Sequence, residues 1–155
     1  MKKTIYILIY FVFISKVDFG QSVNMIIQVN EKLKYEDFGS IYLTFGSNND
    51  SKRYPAGYMP GRLTIDKDAW DILEADSSVK CTLHLDYYAY KNNAQNVTNF
   101  YVNLNLRLLV QPYLVLNIYD FRDKKYKSWY QWHTYQNFLA EFRFPNSGHY
   151  IRKVN

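Results

Sequence analysis

The chain has 155 residues, a hydrophobic fraction of 48% and a formal net charge of +5. That length predicts one domain with a core of ordinary size, and so modest a charge excludes the dense basic surface that nucleic-acid binding requires. A lone cysteine, Cys81, excludes an internal disulfide, so the fold must rest on its hydrophobic core.

Met1, Lys2 and Lys3 form a short positive start, and Ile5 to Ile14 is an unbroken apolar run that ends at Ser15 and Lys16. As a helix this run rises only about 15 Å, half of a bilayer core, which predicts a cleaved signal peptide and no membrane span after cleavage. Cleavage after Gly20 exposes Gln21 but leaves Asp18 at the third position before the cut, whereas cleavage after Ser22 places the small pair Gly20 and Ser22 suitably. The expected organisation is a signal peptide over residues 1–22 and a single domain over 23–155. Secretion to the periplasm or surface of a bacterium is the expected location. No cysteine follows the apolar run, which excludes a lipid anchor on an N-terminal Cys. Loss of residues 1–20 removes Lys2, Lys3, Lys16 and Asp18 and leaves +3, unevenly placed: residues 107–155 carry +5 and the rest −2.

Val23 to Val29 reads as a first strand, with Met25, Ile27 and Val29 on one side. Asn30 to Phe38 is charged and reads as a connection, and Ile41, Leu43 and Phe45 alternate with Tyr42 and Thr44 as a half-buried strand. Gly46 to Gly61 is rich in Gly, Pro, Asn and Asp and predicts a long loop carrying Tyr54, Tyr58 and Met59. After a short strand from Arg62 to Ile65, Asp66 is placed to cap one or two helical turns whose Ala69, Trp70 and Leu73 share a face.

Val79 to Tyr90 predicts a strand with Cys81, Leu83, Leu85 and Tyr87 on its inner face and Lys80, Thr82, His84, Asp86 and Tyr88 on the other. The polar tip from Lys91 to Asn96 turns the chain into a return strand over Phe100 to Leu108, and this hairpin is expected at the centre of one sheet. Pro112 marks a bend. Tyr113 to Tyr119, a turn through Asp120 and Asp123, an aromatic strand over Tyr126 to Trp132, Phe138 to Phe144 and a last strand from His149 to Val154 complete the chain. Eight or nine short strands with one helix predict an all-β fold, an antiparallel β-sandwich of immunoglobulin or transthyretin type.

Chemistry is sparsely signalled. His84 and Asp86 are neighbours on one strand face, which allows a shared proton, but one His and one Asp are too few for a metal site. No serine nucleophile motif and no phosphate-binding glycine loop occurs, and Asp120 and Asp123 sit where aspartate serves turn geometry. Cys81 on an inner strand face predicts an inert thiol. The expectation is a non-enzymatic protein without metal or cofactor, with a hydrolase built on His84 and Asp86 as the alternative. The ligand surface expected is the aromatic segment, with Lys127, Trp129, Tyr130, Trp132 and Tyr135 as its residues, because a Trp or Tyr ring flanked by polar groups stacks on a sugar or a peptide. A carbohydrate-binding module is thus a further alternative, and a glycan or another surface protein is the class of partner expected. The motifs Asn49-Asp50-Ser51 and Asn96-Val97-Thr98 would matter only in a eukaryotic secretory pathway.

Through the run P-Y-L-V-L-N-I-Y-D-F-R-D-K-K-Y-K, followed by F-L-A-E-F-R-F-P-N-S, the last third of the chain resembles small uncharacterised secreted β-sandwich proteins of Bacteroidetes-type bacteria. The resemblance implies the fold and the location and brings no functional residues with it.

Overall fold

The structure, a computed structural model, describes residues 20–34, 37–46, 52–91, 94–130 and 137–147. Among the described residues the elements are β1 (Ser22–Val23), β2 (Met25–Val29), β3 (Lys32–Leu33), β4 (Phe38–Phe45), β5 (Arg53–Met59), β6 (Arg62–Ile65), α1 (Lys67–Ala75), β7 (Lys80–Lys91), β8 (Ala94–Asn105), α2 (Leu106–Leu109), β9 (Leu114–Asp120), α3 (Lys124–Tyr130) and β10 (Phe138–Arg143). They build a six-stranded sheet in the order β1-β6-β5-β4-β7-β8 and a four-stranded sheet in the order β10-β9-β2-β3. The fold is therefore all-β with two sheets, as the alternation predicts. Every pairing is antiparallel except that of β2 with β9, which run parallel with Ile27 opposite Leu116.

One hydrophobic cluster draws on both sheets. Leu43, Leu63, Leu83, Leu85 and Phe100 from the larger sheet are buried together with Met25, Ile27, Leu114, Leu116 and Ile118 from the smaller. Each such side chain contributes about 1.5–3 kcal/mol on burial, which is what a chain without disulfides must rely on. The period-2 reading holds along β7 and β8, where Cys81, Leu83, Leu85 and Tyr87, then Phe100, Val102 and Leu104, are all buried. Burial raises the Cys81 thiol to a pKa of about 11, so almost no thiolate exists at neutral pH. Helix α1 also forms as expected: Asp66 Oδ1 accepts the backbone N–H groups of Asp68 and Ala69, and Ala69, Trp70 and Leu73 are buried.

Several expectations are corrected. The single strand expected over 23–29 divides between β1 of the larger sheet and β2 of the smaller, and the connection expected over 30–38 contains β3. The loop expected over 46–61 contains β5, which pairs with β4 through Arg53 to Pro55 and with β6 through Ala56 to Met59. Pro55 ends the first ladder just where the second begins, so its missing N–H breaks neither, and the Pro60-Gly61 turn with Gly61 at φ 92° closes the hairpin. Leu106 and Leu108 do not extend the return strand, because the Asn105 side chain accepts the Leu108 N–H at 3.0 Å and starts α2 instead.

The β7–β8 hairpin is not central, since β8 forms the edge of its sheet. Finally, the aromatic strand expected over 126–132 is helical through residue 130, making three helices where one was expected. Asp123 is the reason: its carboxylate accepts the Lys125 N–H at 3.0 Å and its carbonyl accepts the Tyr126 and Lys127 N–H groups at 3.1 Å, a helix start in place of a hairpin turn. The strand expected over 149–154 lies outside the described residues.

Candidate functional site

Of the residues singled out for ligand contact, Lys127 lies exposed on α3. Trp129 and Tyr130 belong to the last turn of the same helix, with side chains outside the description, and Trp132 and Tyr135 lie outside the described residues. Residues 126–130 are therefore not presented by an alternating two-faced strand. Tyr126, the first aromatic of the run, is buried against Tyr119 with ring centroids 5.4 Å apart.

Helix α3 instead helps to frame a groove. The β2–β3 hairpin turns on Asn30 and Glu31, with Val29 opposite Lys32, and both turn residues have positive φ, 53° and 63°. Positive φ at both positions is the geometry that a tight right-twisted hairpin requires, and asparagine accepts it readily, whereas glutamate does not. Glu31 is held there by tertiary contacts: its carboxylate accepts hydrogen bonds from Lys125 Nζ and the Tyr126 hydroxyl, each 2.9 Å. These two bonds, led by that from Lys125, lower the Glu31 pKa. Asn30 is fixed on its other side, its N–H donating to the Ile118 carbonyl at 2.8 Å and its Oδ1 accepting the Asp120 N–H at 2.8 Å. Strain at a turn pinned by its surroundings is a recurrent mark of a functional surface.

Against this turn lies an open groove of about 900 Å³, lined by Asn30, Lys32, Tyr87, Asn96, Arg122 and Lys124 among others. A smaller groove of about 510 Å³ continues it past Glu31, Lys34 and Tyr126, sharing Asn30, Lys32, Tyr87 and Asp123. The carboxylates along it are engaged. Arg122 grips the buried Asp120 with Nε and Nη2, Asp123 caps α3, and Lys125 neutralises Glu31. Lys34 is paired with Asp37 at 2.7 Å. Lys32 and Lys124 are exposed and have no ion-pair partner among the described residues. The arrangement suits hydrogen bonding to a polar or acidic ligand.

This groove was missed in the sequence. Asp120 and Asp123 were legible as turn residues, but the meeting of residues 30–34 with 120–126 depends on the parallel β2–β9 ladder, for which no local pattern exists.

His84 and Asp86 are separated in purpose. The His84 ring stacks on Tyr42 at 4.6 Å and 5°, and its Nε2 lies 2.9 Å from Thr44 Oγ1, while Asp86 accepts a hydrogen bond from Asn99 Nδ2. Arg53 covers the Tyr42 ring at 4.8 Å. Neither hydrogen-bond partner titrates, so among the described residues no third ionisable group is hydrogen-bonded to this pair. Burial, then the Arg53 charge, lowers the His84 pKa below its usual 6.5. A lowered histidine pKa contributes stability that is complete above about pH 6.5 and lost as pH falls, when the folded state resists a proton that the unfolded chain accepts. Thermal unfolding at pH 7.5 and pH 5 should therefore show a larger loss for the wild-type protein than for His84→Gln; equal losses would remove His84 from the account.

Among the described residues no group of three or more His, Cys, Asp or Glu comes together to hold a metal ion. No helix of the described residues is long and apolar enough to cross a membrane. Comparison with protein-family models, with curated proteins and with solved structures finds no match to this chain.

Proposed function

We propose that this chain is a secreted, non-enzymatic binding or accessory protein of the bacterial periplasm or cell surface, built as an open β-sandwich of immunoglobulin or transthyretin-like type. The core shared between the two sheets supports the sandwich. A signal peptide is consistent with the apolar run at the start of the chain, and a cut after Gly20 fits better than one after Ser22. The Gln21 carbonyl accepts the Ile65 N–H at 2.9 Å and Ser22 pairs with Thr64, contacts that the later cut would remove.

The observation that carries the binding reading is the groove beside the pinned Asn30-Glu31 turn. Its carboxylates are consumed by structural partners, and Lys32 and Lys124 stand ready beside the amides of Asn30 and Asn96. An acidic, hydroxyl-rich glycan is the ligand class that this chemistry favours, the lysines taking its carboxylate and the amides its hydroxyls. Helix α3 leads from the groove into the aromatic segment, which keeps stacking by Trp129 or Trp132 as a second reading of the same surface.

A glycan array bearing neutral and uronate-containing oligosaccharides tests both. Mass spectrometry of the secreted protein, expected to begin at Gln21, tests the location. Replacing Lys32 and Lys124 together by Ala should weaken retention on acidic glycans about ten-fold or more while leaving the melting temperature unchanged, since both side chains are exposed. Loss with Trp129→Ala or Trp132→Ala and none with the lysine pair would move the site to the aromatic segment. An array without any binding would remove the glycan reading.

A further inference from the structure

The groove beside the Asn30-Glu31 turn does not end at Arg122. Three compartments follow one another: that of about 510 Å³ past Glu31, the central one of about 900 Å³, and a third of about 400 Å³ against β8. The first two share Asn30, Lys32, Tyr87 and Asp123, and the central one shares Arg122 with the third. The outer two have no lining residue in common, so they leave the central compartment on different sides. Arg122 is part of the wall of both compartments it joins, with its guanidinium held by Asp120.

The chemistry changes along this path. Lys32 and Lys124 give the central compartment its cations, whereas the third carries no charge except that of Arg122, which Asp120 takes up. There Val97, Asn99 and Tyr101 succeed one another on the outward face of β8, all three exposed. The Tyr101 ring is 46% exposed and packs nearly perpendicular to Phe138, 5.3 Å between centroids. A phenol ring fixed in this way stacks on a sugar at little further entropic cost. From Asn96, which lines the central compartment, to Tyr101 runs a length of strand of about 17 Å, at about 3.3 Å per residue.

We infer, on the basis of the glycan reading of the groove, that the ligand is a stretch of acidic polysaccharide several sugars long, one acidic unit meeting Lys32 and Lys124 while a later unit stacks on Tyr101. A single compartment of about 300–1,000 Å³ already encloses one small ligand. Three in succession hold more than a mono- or disaccharide fills. A short acidic sugar gains only the lysine contacts, and the contact with Tyr101 is gained only by a chain long enough to reach β8. Affinity therefore rises with chain length until that unit is present and then levels off.

The probes are oligosaccharides of two, four, six and eight sugars cut from polygalacturonate, alginate and hyaluronan, titrated calorimetrically into the purified protein. In at least one series affinity should rise about ten-fold or more from the disaccharide to the hexasaccharide and level off by the octasaccharide. Tyr101→Ala, which folds because the side chain is exposed, should lose most of that gain. Tyr113→Ala removes an equally exposed tyrosine that lines none of the three compartments and should keep it. Disaccharide and octasaccharide bound equally well by the wild type would overturn the inference and leave the glycan reading standing. A gain kept by Tyr101→Ala, or lost as fully by Tyr113→Ala, would overturn it too, because the far unit would not rest on β8. Absence of binding in all three series would overturn the inference and the glycan reading together.

Discussion

Phe100→Ala should destabilise the fold by about 3–5 kcal/mol and lower the melting temperature by roughly 10–15 °C. Phe100 is fully buried at the centre of β8, stacked with Tyr87 at 5.7 Å and edge-on to Phe138 at 5.1 Å. It therefore joins both strands of the long hairpin to the smaller sheet. Truncation removes the apolar area of a whole ring and leaves a cavity whose walls belong to two sheets, which limits collapse around it. Tyr101→Ala supplies the comparison, since Tyr101 is the next residue on the same strand but faces outward. Its loss should cost no more than about 1 kcal/mol. Denaturant melts of the two variants decide the matter: equal midpoints would mean that β8 does not carry the core.

Tyr58→Phe should cost about 1–3 kcal/mol although it removes a single oxygen atom. The Tyr58 hydroxyl, on β5 of the larger sheet, accepts the backbone N–H of Ile27, on β2 of the smaller, at 2.8 Å. Phenylalanine would keep the ring and its edge contact with Phe38 but leave a backbone donor of a buried strand without a partner. Tyr54→Phe is the control, a half-buried ring packed on Phe45, and should stay within about 0.5 kcal/mol. Burial raises the Tyr58 pKa above its usual 10. A raised pKa in the folded state contributes stability that is complete below pH 10 and lost as pH rises, when the unfolded chain ionises first. Part of the alkaline destabilisation of the wild type should accordingly be missing in Tyr58→Phe. Urea titrations at pH 8 and pH 11 measure both effects, and a Tyr58→Phe variant as stable as Tyr54→Phe would show that the two sheets are not linked through this bond.

The pattern of successes and corrections follows from the range of the forces involved. Burial by alternation is local: Leu83 and Leu85 are two residues apart, and a strand puts them on one face whatever lies beside it. The Asp66 cap is local too, spanning three residues. The aromatic segment misled because Tyr126, Trp129 and Tyr130 satisfy a helical spacing of three and four as well as a strand alternation. Asp123, legible as a turn residue, decided for the helix by capping it. β5 was hidden because its Pro55 and Gly57 read as loop, and only its two different partner strands explain how a proline fits there.

By itself the sequence determined the all-β character, the inner and outer residues of most strands, the position of α1 and the reliance on a core without disulfides. Each rests on contacts between residues close along the chain, or on composition alone. Only the tertiary structure decided the parallel union of β2 with β9, the place of β8 at an edge and the meeting of Glu31 with Lys125 and Tyr126. Those contacts span from about 36 to 95 residues of chain, and many alternative strand orders would bury the same alternating faces equally well. The groove is a product of strand order, so it exists in no stretch of sequence taken alone.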